Sequence, residues 1–369
     1  MHKARFFLIM VLAVALCMVC SPAAAARDRP VIVDHTSIHL ATVPQSAIED
    51  AKTSLHIAYG HTSHGSQITD GMSGLVSFAG APYGGSTYRW NNGGTGGALD
   101  LHDYAMSGDL GNPDRTSWAN RTRAYLKSNP DVNVIMWSWC GQVSSASRSD
   151  IDTYLALMTE LENEFPGVTF VYMTGHLDGS GTSGNLNQRN EQIRAYVRAN
   201  NKVLFDFADI ESYDPDGNYY LNRGADDGCN YNGGNWADAW QNSHTVNVDW
   251  YNCGAAHTQP LNANMKAYAA WNLWARIAGW DGIVVPTPTP TQPPEEPVAL
   301  PGQGGIPSDP DTDGLYEDLN ANSRADFADV TLFFEQMDWI AANEPLALFD
   351  FNGNDRIDFA DITTLFTEL

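Results

Sequence analysis

Four runs between residues 54 and 210 are nearly continuous in Val, Ile, Leu, Phe, Met and aromatic residues. They are SLHIAYG (54–60), VNVIMWSW (132–139), VTFVYMTG (168–175) and KVLFDFADI (202–210). Short runs with so little polar alternation are expected of strands buried on both faces. Between the last three lie SRSDIDTYLALMTELENEF and NLNQRNEQIRAYVRAN. Their apolar positions recur at helical spacing and their polar starts suit N-caps. A last helix, LNANMKAYAAWNLWARIAG, is predicted over 261–279. Strand–helix alternation of this kind predicts an α/β domain of three layers around a doubly wound, mostly parallel sheet. The Gly/Asn-rich stretches 80–115 and 212–255 fit neither period and are expected as long loops over one face.

The ends of the chain read differently. MHKAR is a basic start, FFLIMVLAVALCMV a short apolar core and SPAAAA a small-residue cleavage site, so an export signal cleaved after Ala26 is expected. The apolar core is shorter than the roughly 20 residues a spanning helix needs. No later segment is long and apolar enough, so the mature chain is expected to be secreted, not inserted in a membrane. VVPTPTPTQPPEEPVALPGQGG has the composition of an extended spacer. The expected organisation is a signal at 1–26, a body at 27–283, a linker at 284–306 and a tail at 307–369.

The formal charge of −24 becomes −26 once Lys3 and Arg5 leave with the signal. A chain this acidic will not hold a nucleic-acid backbone by long-range electrostatics, whereas cation sites suit it. Three cysteines remain after cleavage: Cys140, Cys229 and Cys253. In an oxidising compartment an odd count suggests one bridge and a spare thiol. Cys229 and Cys253 flank an irregular Gly/Asn/Trp-rich stretch and are the expected pair; Cys140 ends an apolar strand.

The tail repeats itself. DLNANSRADFADVTLFFEQM starts at Asp318 and DFNGNDRIDFADITTLFTEL at Asp350, an offset of 350 − 318 = 32. EF-hand calcium loops use positions 1, 3, 5, a carbonyl at 7, then 9 and 12, because a large hard cation needs six to eight oxygens around it. Those positions are Asp318, Asn320, Asn322, Arg324 (carbonyl), Asp326 and Asp329 in the first copy. In the second they are Asp350, Asn352, Asn354, Arg356 (carbonyl), Asp358 and Asp361. The tail resembles the dockerin modules, which carry two such loop–helix repeats and place Asp at position 12. The resemblance implies a small all-α module, structural Ca²⁺, and docking onto a cohesin-type scaffold or cell surface, commonly for polysaccharide breakdown. It also implies partner selection by positions 10 and 11, here Phe327, Ala328, Phe359 and Ala360. Just upstream, DPDTDGLYED holds another Asp-x-Asp-x-Asp-Gly run, a candidate for one more calcium. Eleven Trp suit a sugar-facing surface, although Trp137, Trp139, Trp271 and Trp274 fall in predicted core elements.

In open parallel sheets, ligands bind beyond the carboxyl ends of the strands. Every predicted strand here ends in chemically capable groups: GHTSHGS, CGQ, GHLDG and ADIESYD. Gly60 and Gly65 around Ser63 suit a hydroxyl displayed near a helix N-terminus, where amides and the helix dipole favour an oxyanion. His257 precedes the last helix, followed by Pro260 and Asn262. This arrangement resembles the SGNH (GDSL-like) hydrolase superfamily, whose flavodoxin-like sheet carries a serine-bearing glycine turn after an early strand and a late histidine. The resemblance implies Ser63 as nucleophile, His257 as its base, and Gly141 and Gln142 at the oxyanion hole. The chain reads Gly60-His61-Thr62-Ser63 in place of Gly-Asp-Ser, Gln142 stands where Asn is usual, and Gly254 occupies the acid position three residues before the histidine. An orienting carboxylate is then expected from elsewhere, foremost Asp209, with Glu211 and Asp249 as alternatives. Ser66 and Thr62 are rival nucleophiles. His61, His64 and His176 are candidate substrate contacts, or zinc ligands together with His257.

The expected protein is therefore a secreted, monomeric serine esterase acting on decorated polysaccharides, with no cofactor for catalysis. Two alternatives stand beside it: a glycosidase using a carboxylate pair drawn from Asp206, Asp209, Glu211 and Asp178, and a non-catalytic carbohydrate-binding surface protein.

Overall fold

The computed structural model describes residues 27–283, 296–353 and 356–368. The expected signal segment, residues 284–295 of the linker and Asn354 lie outside the described residues. The chain divides into two units at 282/283.

The first unit is built on seven parallel strands: β1 (Val31–Val33), β2 (His56–Gly60), β3 (Trp90–Asn91), β4 (Leu99–His102), β5 (Val134–Trp137), β6 (Thr169–Met173) and β7 (Val203–Phe205). Their order across the sheet is β1-β7-β6-β5-β2-β4-β3. All four apolar runs enter the sheet, and the interior residues of β5 and β6 are buried without alternation, as a sheet covered on both faces requires.

The order explains where a ligand would bind. The chain leaves β2 through α2 (Ser66–Leu75) toward the β3–β4 edge, then returns past β2 to β5 and runs outward through β6 and β7. Right-handed crossovers then place α2 on one face and α3 (Ser117–Ser128), α4 (Arg148–Glu164) and α5 (Asn185–Ala199) on the other. Contacts agree: α2 and α1 (Gln45–Ser54) lie against α8 (Pro260–Ile277), while α4 lies between α3 and α5. The reversal falls between the paired strands β2 and β5, and it opens a crevice beyond their carboxyl ends.

Local chemistry fixes the helices around this crevice. Ser147 caps α4 in a reciprocal box with Asp150, and Ile151, Tyr154, Leu155, Met158 and Leu161 form its buried stripe. Pro260 opens α8, where its missing N–H costs nothing. That helix is buried on nearly every side, with Trp271 and Trp274 sealed in the core.

Three expectations are corrected. The stretch 80–115 is not all loop, since β3 and β4 extend the sheet there. The run 202–210 is a strand only to Phe205; Asp206 then caps a four-residue helical turn, α6 (Phe207–Ile210), by accepting from the Asp209 N–H. Within 212–255 a short hairpin, β8 (Asn230–Tyr231) and β9 (Gly234–Asn235), leads into α7 (Trp236–Ser243).

The second unit holds α9 (Phe327–Asn343), the short α10 (Leu346–Phe349) and α11 (Phe359–Glu368) over a core of Leu319, Val330, Phe333, Ile340, Phe349 and Ile362. Leu300 belongs to that core, and Val298 N–H donates to Glu344. The end of the expected linker is therefore part of the tail unit. The two repeats are laid out alike. Asn320 N–H reaches Asp329 Oδ1 at 3.0 Å as Asn352 N–H reaches Asp361 Oδ1 at 3.2 Å, and Asp326 and Asp358 N–H reach the other oxygens of those carboxylates. Asp318 and Asp329 are fully buried, and Asp318 accepts from the N–H groups of Asn322 and Ser323.

Candidate active site

The loop between β2 and α2 is held by two close approaches. A side chain at Gly60 would collide with the Trp137 ring at 2.5 Å, and one at Gly65 with His61 Cβ at 2.3 Å. Only glycine lets the backbone turn that tightly against β5. The turn leaves Ser63 half-exposed at the mouth of the crevice. Ser63 Oγ lies 3.0 Å from His257 Nε2, so residues 194 positions apart meet at hydrogen-bond distance. Its rivals are engaged elsewhere: Ser66 Oγ donates to Ser63 O and Asp70, and Thr62 Oγ1 donates to Asp109.

A buried network holds His257 in place. Gln67 of α2 donates from Nε2 to Ala256 O, at 2.5 Å, and accepts from Lys266 through Oε1. Lys266 and Glu211, both wholly buried, form an ion pair at 2.6 Å. The second oxygen of Glu211 accepts from the Leu177 N–H at 2.8 Å, tying the loop after β6 to the same anchor. Burial is the main influence on Lys266 and pushes its ammonium below the ordinary value. The Phe207 ring lies 3.7 Å from its nitrogen.

A second constellation adjoins the first. Cys140 follows β5, and its Sγ is 3.8 Å from Ser63 Oγ and 3.0 Å from His64 Nδ1. The other His64 nitrogen lies 3.0 Å from Asp227 Oδ2. Asp227 arrives from the distant 225–228 loop, which is bound to the loop after β6 through Asp227 N–H to Leu177 O and Gly179 N–H to Ala225 O. His64 is stacked on His176 at 3.8 Å and on His257 at 4.3 Å. Burial, partly offset by Asp227, pushes the His64 imidazole below its ordinary value. Burial works to raise the Asp227 carboxyl, but the hydrogen bond from His64 and the His176 and His64 charges hold it below the usual carboxylate range.

The expected residues divide clearly. Ser63, His257, His64, His176 and Gly141 gather at this crevice. Asp209 does not: it is bound to His35 Nδ1 at 2.5 Å, beyond β7. Glu211 is taken by Lys266, and Asp249 accepts from the Thr245 N–H. Among the described residues no carboxylate is hydrogen-bonded to His257. His61 is 1% exposed, with its two ring nitrogens on Thr62 O and Asp103. The Gln142 side chain is also committed, accepting from Cys140 N–H and donating to Asp109; the backbone N–H of Gly141, at φ +72°, is left as the donor there. Cys229 and Cys253 are not bridged. Cys229 faces Thr258 and Cys253 faces Asn264 and Pro260, so each thiol has its own partners in place of the expected bridge.

Sequence reasoning missed Asp227 and Cys140. Asp227 stands in GADDGCN with no periodic context, and Cys140 reads only as the end of an apolar run, three residues past the last residue of β5, with nothing in the sequence to pair it with His64.

The ligand-capable atoms of His64, His176 and Asp227 lie within 4.8 Å of one another. Imidazole lone pairs lie in the ring plane, and the His64 and His176 rings are parallel to 3°. A zinc ion needs both nitrogens at about 2.0–2.1 Å, so one ring would have to leave the stack. The glycosidase candidates are each engaged: Asp206 with Arg194 at 2.6 Å, Asp209 with His35, Glu211 with Lys266, and Asp178 with Ser180.

Compared with known proteins, the chain matches no family model, no curated protein and no solved structure.

Proposed function

We propose that this protein is a hydrolase of carboxylic esters borne on polysaccharides, exported and docked through a calcium-binding tail. The contact of 3.0 Å between Ser63 Oγ and His257 Nε2, at the sheet's reversal point, carries this reading. His257 takes the hydroxyl proton as Ser63 attacks the acyl carbon, then returns it to the leaving alcohol; water repeats the sequence to release the acid. Ser63, His64 and Gly65 N–H make no hydrogen bond among the described residues, and with Gly141 N–H they are the available donors for the oxyanion. His176 donates from Nδ1 to Leu177 O, which leaves its buried Nε2 an unpartnered acceptor suited to a sugar hydroxyl. The purified chain should release acetate from chromogenic acetyl esters and acetylated polymers. Release of reducing ends without acid would favour the glycosidase, and retention on the polymer without turnover the binding protein.

The tail reading rests on the two alike loops. Each leads into a helix that displays aromatic side chains to solvent: Phe327, Phe334, Phe359 and Phe366 are all more than half exposed. Phe327 pairs with Phe366 and Phe359 with Phe334, a two-fold apolar face fit for a cohesin-type protein partner. Calcium should raise the melting transition of the second unit in the intact chain. A ligand at about 100 times its Kd stabilises by roughly 2.7 kcal/mol per site. A chelator should reverse the shift and leave ester turnover unchanged, whereas a zinc hydrolase would stop. Melting indifferent to calcium would remove the loops from the account.

A further inference from the structure

We propose that Cys140 is a second nucleophile of this crevice, served by His64 as its base and Asp227 as the group that orients that base. Three contacts make the set: Sγ to Nδ1 at 3.0 Å, Nε2 to Asp227 Oδ2 at 3.0 Å, and parallel stacking of His64 on His176 and His257. A carboxylate only accepts, so the His64 Nε2 carries the proton, and the lone pair of Nδ1 faces the thiol. The stack and the two hydrogen bonds together leave the ring one orientation. Among the described residues no carboxylate is hydrogen-bonded to His257, so the nucleophile–base–acid set that is complete there is the thiol's.

The chemistry is acyl transfer to sulfur. The thiol proton passes to His64 Nδ1, and the thiolate attacks the acyl carbon of an ester or thioester. An S–C bond forms as the bond to the leaving oxygen or sulfur breaks, and His64 returns its proton to the leaving group. Water, deprotonated by His64, then attacks the thioester, releasing the acid and restoring the thiol. With Ser63 Oγ 3.8 Å away, both nucleophiles address an acyl group in one place. The substrate class rests on the ester-hydrolase reading; the reactivity of the thiol does not.

The other two cysteines are controls within the same chain. Burial pushes the thiols of Cys229 and Cys253 up to about 12, and neither sulfur touches an imidazole. Native protein treated with iodoacetamide at neutral pH should be alkylated at Cys140 well before Cys229 or Cys253, read by peptide mass. His64→Gln should slow that reaction by on the order of 10²-fold, and Asp227→Asn by less. Cys140 reacting no faster than the other two, or at an unchanged rate in His64→Gln, would overturn the proposal. The Ser63→Ala variant, pulsed with an aryl acetate, should carry one acetyl group on Cys140; an unacylated Cys140 would overturn the acyl-transfer step. Fast alkylation with no ester turnover in the wild type would instead sink the hydrolase reading and leave the activated thiol standing.

An independent observation carries a second inference in the tail unit. Carboxylate oxygens of Asp309, Asp311, Asp313 and Glu317 lie within 4.8 Å of one another. Glu317 is 5% exposed, and neither of its carboxylate oxygens has a hydrogen-bond partner. A buried carboxylate left unpaired among three others is strongly unfavourable without a cation. The loop is already shaped around that point: Asp309 accepts from Thr312 and Gly314 N–H, and Gly314 turns at φ +101°. We infer a third calcium site, with the oxygen-rich, high-charge ligand set that Ca²⁺ prefers. Titration of the intact chain should give three calcium ions, and the double variant Asp311→Asn/Asp313→Asn, changed only at exposed side chains, should give two. Two ions in both proteins would overturn this site, as would any count the double variant leaves unchanged. One ion, abolished in the double variant, would keep it and remove the paired loops.

Discussion

Ester turnover in Ser63→Ala should fall to the level that acyl transfer through Cys140 sustains, and in Ser63→Ala/Cys140→Ala by on the order of 10⁴-fold or more, while the melting temperature of the first unit stays within a degree or so. The hydroxyl is half-exposed on a turn that Gly60 and Gly65 shape, so its removal leaves no cavity in the core. His257→Ala should cost about as much as Ser63→Ala, and Ser63→Ala/His257→Ala hardly more, because nucleophile and base act as one unit. Ser66→Ala and Thr62→Ala should cost far less, since their hydroxyls face Asp70 and Asp109 and not an imidazole. Residual turnover in Ser63→Ala that disappears in Ser63→Ala/Cys140→Ala would apportion the reaction between the two nucleophiles.

The largest effect on stability is expected at Lys266. Lys266→Met should destabilise the first unit by about 3–5 kcal/mol, because it strands the Glu211 carboxylate in a site with no access to water. Gln67 loses its Oε1 donor in the same change, while its Nε2 still holds Ala256 O beside His257. Activity should therefore fall with stability although Lys266 touches no reacting atom. Pairing Lys266→Met with Glu211→Leu should recover part of the loss, since it removes the stranded charge but leaves the Leu177 N–H and Gln67 Oε1 without their partners. Chemical denaturation of the four proteins supplies the cycle. A coupling energy near zero would mean the pair is not the anchor described here.

The layered fold was legible because four strands are buried on both faces and so read as apolar runs. Ser63 and His257 were legible for a related reason: each sits beside a boundary the sequence marks, a glycine turn after a strand and a proline-started helix. Elements without such marks were lost. β1 and β3 are three and two residues long, and β4 carries Asp100, whose carboxylate is bound to His56 and His102 and hides the apolar pattern. Asp227 could not be found by local pattern at all. Its place beside His64 depends on backbone hydrogen bonds between residues 177–179 and 225–227, and those follow from the packed sheet. Asp209 shows the converse. It stands just past a strand end, where ligands bind, yet lies beyond β7 with His35, away from the β2–β5 crevice.

The central claim is that Ser63 is an activated nucleophile. Brief exposure of the intact chain to a fluorophosphonate, which forms a stable bond to a serine oxygen only where a base removes its proton, followed by peptide mass mapping, tests it most directly. The account predicts a single phosphonate on the peptide bearing Ser63, absent after denaturation and absent in His257→Ala. A label on another serine, or none on the native protein, would contradict it.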